Sequence, residues 1–197
     1  MDRQYAPLEV RQVRLGAQLC KPERGFLRRV GPDDPATHVM TDFMVIPAAV
    51  ADASRTIDQV SELMKLRGVH LLFIRTAAGE IAGLITATDL LGEKPMRIVG
   101  ERGISHDEIL VADIMTPAAL FEAVSYEEAI HAKIGQIVDT MRRLGRQHLM
   151  VVEFNPHGAQ TIRGLFSVSQ IALQLGIELK ISEVANTFTE IEAALSR

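Results

Sequence analysis

Two stretches of the chain carry the same order of apolar and polar positions. In the first, Ile57, Val60 and Met64 mark one face of a helix over Thr56–Arg67, the spacing of an amphipathic helix. Ser54 is its expected N-cap, Asp58 lies early in it, and Gly68 stops it. The apolar run LLFI at Leu71–Ile74 predicts a buried strand over Val69–Arg75, with a hairpin turn at Ala77–Glu80 and a returning strand at Ile81–Ile85. Thr88–Gly92 then opens a short helix. In the second stretch Ser125 caps a longer predicted helix, with Glu127 and Glu128 in its first turn, where acids suit the helix dipole. Ile130, Ile134, Ile137, Met141 and Leu144 step by 4, 3, 4 and 3 along it, a core-facing stripe. Strands at Leu149–Phe154 and Thr161–Phe166, a turn at Asn155–Gln160 and a helix at Ser169–Leu175 follow. A final helix is expected at Ser182–Leu195, with Val184, Phe188, Ile191 and Leu195 on one face.

The two stretches are one unit written twice. GLITATDL at Gly83–Leu90 answers GLFSVSQI at Gly164–Ile171, and Met64-x-x-x-Gly68 answers Met141-x-x-x-Gly145. A histidine precedes each apolar strand, His70 and His148. Such repetition predicts an internal symmetry. It divides the chain into a basic extension at 1–38, a unit at 39–92, a connection at 93–110 carrying Pro95, Gly100 and Gly103, a second unit at 111–176, and a C-terminal helix region at 177–197. Strand–helix–strand–strand–helix, twice, is an α+β pattern. The copies disagree at one chemically important place, Asp89 against Gln170.

Composition narrows the function. At 47% apolar and 23% charged, 197 residues suffice for one sizeable core or two small packed units. The longest run without a polar side chain, Phe43–Ala51, is nine residues with Pro47 inside it, too short to span a membrane. No secretory leader is recognisable, and one cysteine, Cys20, makes no internal disulfide, which fits a reducing cytoplasm. A single Cys and six scattered His argue against zinc. Residues 1–30 hold seven Lys/Arg and three acids, a net +4 against −8 for the remainder. Such an arm could touch nucleic acid, but no aromatic interleaving or nucleic-acid-reading motif accompanies it, which argues for a solvated or docked arm. No GxxxxGK, HExxH or GxSxG motif occurs, and Cys20 has no neighbouring base, so no catalytic residue is assigned.

The ordered set of Val39–Thr41 (VMT), Ile114–Pro117 (IMTP), the two Met-x-x-x-Gly helix ends and the two GL-initiated returning strands resembles a tandem pair of CBS (cystathionine β-synthase) domains. The resemblance implies two βαββα units packed sheet to sheet around a pseudo-twofold axis. It also implies clefts that take AMP, ADP, ATP or S-adenosylmethionine, a regulatory rather than enzymatic role, a homodimer, and a regulated partner protein.

Thr86-x-x-Asp89 stands where a strand feeds a helix, so its hydroxyl and carboxylate can face one ligand. A carboxylate accepts two hydrogen bonds from a ribose diol. The same residues serve equally as an ordinary cap and dipole partner. The resemblance assigns ribose to Thr86 and Asp89 and phosphate to His70. Arg146 and His148 could reach the same cleft from the second unit, and Arg67 is a further cation. Val45, Ile46 and Ala48 offer apolar walls for adenine. The second unit's Ser167 and Gln170 make a weaker site. The competing expectation is a ligand-free dimerisation or interaction scaffold whose clefts are filled by side chains.

Overall fold

The structure, a computed structural model, describes residues 29–179 apart from Pro156, with Gln12 alone upstream. Cys20, nearly all of the basic arm and the helix expected at Ser182–Leu195 lie outside the described residues. The first half contains β1 (Thr41–Asp42), β2 (Val50–Asp52), α1 (Ile57–Arg67), β3 (Leu71–Arg75), β4 (Ile81–Thr86), α2 (Ala87–Leu91) and α3 (Glu93–Arg102). The second contains α4 (Val111–Ile114), β5 (Thr116–Pro117), β6 (Ala123–Ser125), α5 (Tyr126–His131), α6 (Ile134–Leu144), β7 (His148–Phe154), β8 (Gln160–Ser167) and α7 (Val168–Leu175).

Local signals act much as their chemistry dictates. Ile57, Val60 and Met64 are the buried residues of α1, and Gly68 ends it at φ 64°. Gly145 ends α6 in the same way at φ 63°, a conformation costly for any residue with a Cβ. The cap of α1 is Thr56 rather than Ser54: the Gln59 N–H donates to Thr56 Oγ1 at 3.4 Å, and the Thr56 N–H donates to Gln59 Oε1 at 3.3 Å. Ser125 caps α5 as expected.

Two predicted elements differ. The long helix after Ser125 is two helices, broken at Ala132–Lys133. Residues 32–36 lie against the break: the Ala36 N–H donates to the Ala132 carbonyl at 2.8 Å, and the Gly135 N–H to the Pro32 carbonyl at 2.8 Å. Ile130 consequently leaves the apolar stripe and is exposed, while Ile134, Ile137 and Met141 are buried. The stretch expected as a connection contains α3. Pro95 is tolerated there because it sits in the first turn, where N–H groups have no intrahelical partner, and Ile98 enters the first core.

The strands form two sheets, ordered β2-β3-β4-β5 and β1-β8-β7-β6. The short opening strand of each sequence unit therefore belongs to the other unit's sheet. Thr41 pairs with Leu165 and Asp42 with Gly164; Thr116 pairs with Leu84 and Pro117 with Gly83. The exchange reaches the helices. The first N–H of α1, on Ile57, donates to the Ile109 carbonyl at 3.0 Å, and that of α6, on Ile134, to the Asp34 carbonyl at 3.0 Å. Ile109, Val111 and Ile114 thus complete the core around α1, while Ala36 and Val39 complete the core around α6.

Leu72, Ile74 and Ile85 face the helices, whereas Phe73, Leu84, Met150 and Leu165 meet in a seam between the sheets. Burial on both faces accounts for the continuous apolar runs of β3 and β7. A bulge skips Arg163 in β8. Its guanidinium then grips Asp42 of the incoming β1 with two bonds of 2.9 Å and stacks 4.3 Å from the Tyr126 ring centre. That pair holds the Asp42 carboxyl below the usual carboxylate range.

The exchange depends on two glycines. A Cβ on Gly83 would overlap the Thr116 carbonyl oxygen, and one on Gly164 would lie 2.5 Å from that of Thr41. Gly164→Ala is expected to lower stability by about 1–3 kcal/mol, a Tm drop of several degrees. Gly100→Ala, in an open helical position, is expected to gain about 0.5–1 kcal/mol. Thermal denaturation of the two variants side by side checks the contrast.

Candidate functional site

A cavity of about 1500 Å3 opens between the two halves, at the ends of β4 and β8 that feed helices. Both halves and both exchanged openings contribute: Thr86–Asp89 and His70 from the first half, Arg146–His148 and Ser167 from the second, Thr41 and Met115 from the openings.

Thr86 ends β4 and caps α2. Its N–H and its hydroxyl both donate to Asp89 Oδ2, at 2.8 and 2.7 Å, and the Asp89 N–H returns to Thr86 Oγ1 at 3.2 Å. The other carboxylate oxygen, Oδ1, accepts from Lys94 Nζ at 2.6 Å. Lys94 also lies 3.4 Å from the Ile114 carbonyl oxygen. The Asp89 side chain is only 14% exposed, so its charge is held in place by a backbone amide, a hydroxyl and an ammonium. Oδ2 already accepts two bonds, whereas Oδ1 retains a lone pair.

His148 faces Asp89 across the seam. As the first residue of β7 it stands opposite Ser167 and, two residues before Met150, points to the same side. Burial pushes its imidazole pKa down, and the Asp89 carboxylate pulls it part of the way back. The neutral ring therefore predominates at pH 7.

The two histidines are not symmetry mates. Leu71 pairs with Thr86 as His148 pairs with Ser167, so His148 corresponds to Leu71. His70 corresponds to Gln147: their carbonyls accept from Ala87 at 2.9 Å and Val168 at 3.0 Å. The same offset sets Asp89 against Gln170. One end of the cavity thus carries Asp89 and His148 with Lys94 beside them, where the other carries Gln170 and Leu71. At that neutral end Ser167 Oγ and Ser169 Oγ lie 2.9 Å apart.

Thr86, Asp89, His70, Arg146, His148, Ile46 and Ala48 all line the cavity. Val45 does not; it is exposed in the loop before β2. Arg67, exposed at the end of α1, is also outside the lining. Lys94 and Arg97 line the cavity and escaped the sequence reading, because they sit in the stretch read as a connection. Two cations three residues apart, just beyond the Asp89 helix, are the signal that was available. Among the described residues no cluster of His, Cys, Asp and Glu could hold a metal ion, and no helix is long and apolar enough to cross a membrane.

Residues 30–95 match the family model of the CBS domain. The internal repeat and the two equivalent sheets carry the same strand arrangement into the second half, so the whole chain resembles a tandem pair of CBS domains. No curated protein matches it. Among solved structures, an uncharacterized conserved protein from Pyrococcus horikoshii shares the fold at 20% identity and a TM-score of 0.52, over 77% of this chain and 98% of its own. The CBS domain pair of protein MJ0100, solved with methylthioadenosine and S-adenosyl-L-methionine, aligns at 13% identity and a TM-score of 0.48, over 74% of this chain and 98% of its own. CBSX2, solved with AMP, aligns at 18% identity and a TM-score of 0.46, over 72% and 97%.

A depressed histidine pKa has a definite sign for stability. The unfolded chain takes up the His148 proton at a higher pH than the folded chain does. This stabilisation is therefore complete above about pH 6.5 and is lost as the pH falls toward the folded value. In denaturant titrations at pH 7.5 and 5.5, His148→Gln should lose less stability on acidification than the wild type. Parallel losses would contradict the assignment.

Proposed function

We propose that this protein is a non-enzymatic regulatory module whose charged cavity end binds an adenine nucleotide or related adenosyl ligand. The observation that carries the reading is the Asp89 carboxylate, fixed at a strand-to-helix turn within the inter-half cavity and flanked by Lys94 and His148. Its counterpart turn holds only Ser167 and Gln170. The CBS match of the first half supports the same ligand class.

A ribose hydroxyl donates to the open lone pair of Asp89 Oδ1. The second hydroxyl of the diol reaches the carboxylate when Lys94 leaves it, and the departing ammonium then meets the ligand phosphate. The ligand exchanges one salt bridge for two interactions, so neither charge is left unpaired. His70, Arg97 and Arg146 supply further donors around the phosphates, while Ile46, Pro47 and Ala48 wall the base. A phosphate beside His148 favours its protonated form, so phosphate-bearing ligands bind more tightly as the pH falls.

Occupancy acts on function through the exchanged openings. A ligand that touches Asp89 and His148 together favours one packing of the halves, and any partner that distinguishes the packings senses the ligand by linkage. Exposed Leu66, Leu91 and Met96 suit contact with a second copy of the chain or with the regulated protein.

Calorimetry with AMP, ATP and S-adenosylmethionine tests the reading. Asp89→Asn should weaken all binding ligands by about 10-fold or more, the worth of a hydrogen bond to a charged group. Lys94→Met should weaken AMP and ATP while leaving S-adenosylmethionine unchanged or tighter, because S-adenosylmethionine offers the ammonium no phosphate. No heat with any adenosyl ligand would favour the scaffold reading, and binding insensitive to Asp89→Asn would remove the site from this turn.

A further inference from the structure

A second cavity of about 580 Å3 opens at the opposite ends of the central strands, beside the hairpin turns. This is the volume of a small-molecule site. Three phenylalanines form one wall. Phe43 and Phe73 meet edge to face with centroids 5.5 Å apart at 86°, and Phe73 and Phe121 do so at 6.4 Å and 75°. Such a chain of T-shaped contacts offers ring faces and edges for a further ring. Met150 and Ile162 complete the apolar lining.

The space follows from the pseudo-symmetry. Thr41 and Thr116 occupy equivalent registers on β8 and β4, so the counterpart of Phe43 is Ala118. Val50 and Ala123 pair with the equivalent residues Phe73 and Met150, which makes them counterparts. The Phe73 and Met150 N–H groups donate to the Ala49 and Glu122 carbonyls, so Phe121 answers Ala48. At three equivalent pairs, Phe43 and Ala118, Phe121 and Ala48, and Val50 and Ala123, one half places the larger side chain and the other alanine. The seam closes at Phe73, Leu84, Met150 and Leu165 and stays open here.

Charge separates this cavity from the first. Its one charged lining residue among those described is Glu80, exposed at the rim. The first cavity carries Lys94, Arg97 and Arg146 against Asp89 and Asp113. Phosphate-bearing ligands are therefore repelled at the second cavity and attracted to the first.

We propose that the second cavity binds a small ring-bearing cation, with the ring against Phe43, Phe73 and Phe121 and the ammonium at Glu80. The pair 1-naphthylmethylamine and 1-naphthoic acid, equal in ring and opposite in charge, tests this on the full chain. The Met150 methyl NMR signal, assigned through Met150→Leu, reports occupancy. The amine should shift it saturably and the acid should not. Ala118→Phe, which fills the space, should weaken the amine at least tenfold, and Glu80→Gln about two- to fivefold, as an exposed ion pair allows. Should Ala118→Phe fail to fold, Ala123→Leu fills the same space from the neighbouring strand and should weaken the amine likewise. No response to the amine, equal response to the acid, or amine binding unchanged in a folded space-filling variant would overturn the proposal. Adenosyl-ligand binding at Asp89 is a separate measurement, so either site can fail alone.

Discussion

The architecture rests on the close approach of two backbones at Gly83 and Gly164. At each glycine the carbonyl oxygen of a threonine from the other half, Thr116 or Thr41, occupies the region a Cβ would need. That approach lets a two-residue opening strand close the neighbouring sheet. The segment before each opening then supplies a carbonyl to the first turn of the neighbouring helix and apolar residues to the neighbouring core. Neither half closes its own core, and mutual completion binds the two into one body. The cavity with Asp89 is a consequence, because the exchanged openings wall it.

Duplication creates two equivalent cavity ends, and a few residues make them unlike. Asp89 and His148 stand where Gln170 and Leu71 stand at the other end, and Lys94 adds a cation beside Asp89. Asp89 also shows how one side chain serves structure and chemistry together. Oδ2 is committed to capping α2, which fixes the carboxylate, while Oδ1 faces Lys94 and the open space. A buried charge with these partners is stable without a ligand and still has an acceptor to offer.

The repeat was legible because periodicity, helix stops and apolar strands are local properties. Ile57, Val60, Met64 and Gly68, with their copies Ile134, Ile137, Met141 and Gly145, report helices that end where a left-handed residue is needed. The misses share a cause. The break at Ala132–Lys133 is stabilised by Pro32 and Ala36, about a hundred residues upstream, and a continuous apolar stripe conceals it. α3 looked like a connection because Pro95, Gly100 and Gly103 mark breaks on average; here Pro95 lies in the first turn and Gly103 caps the end. His70 and His148 looked equivalent because each stands next to an apolar run. Strand register, which depends on hydrogen bonds to another strand, places them one position apart.

The sequence by itself determined the element types, the duplication, the unlike pair Asp89 and Gln170, and several residues that line the first cavity, among them His70, Thr86 and Arg146. These follow from side-chain periodicity and turn chemistry within a few residues. Only the tertiary structure decided which half each opening strand completes, that His148 faces Asp89, and that Lys94 holds the carboxylate. Those outcomes depend on backbone pairing and distance across the seam between the halves, and a linear order of residues carries neither.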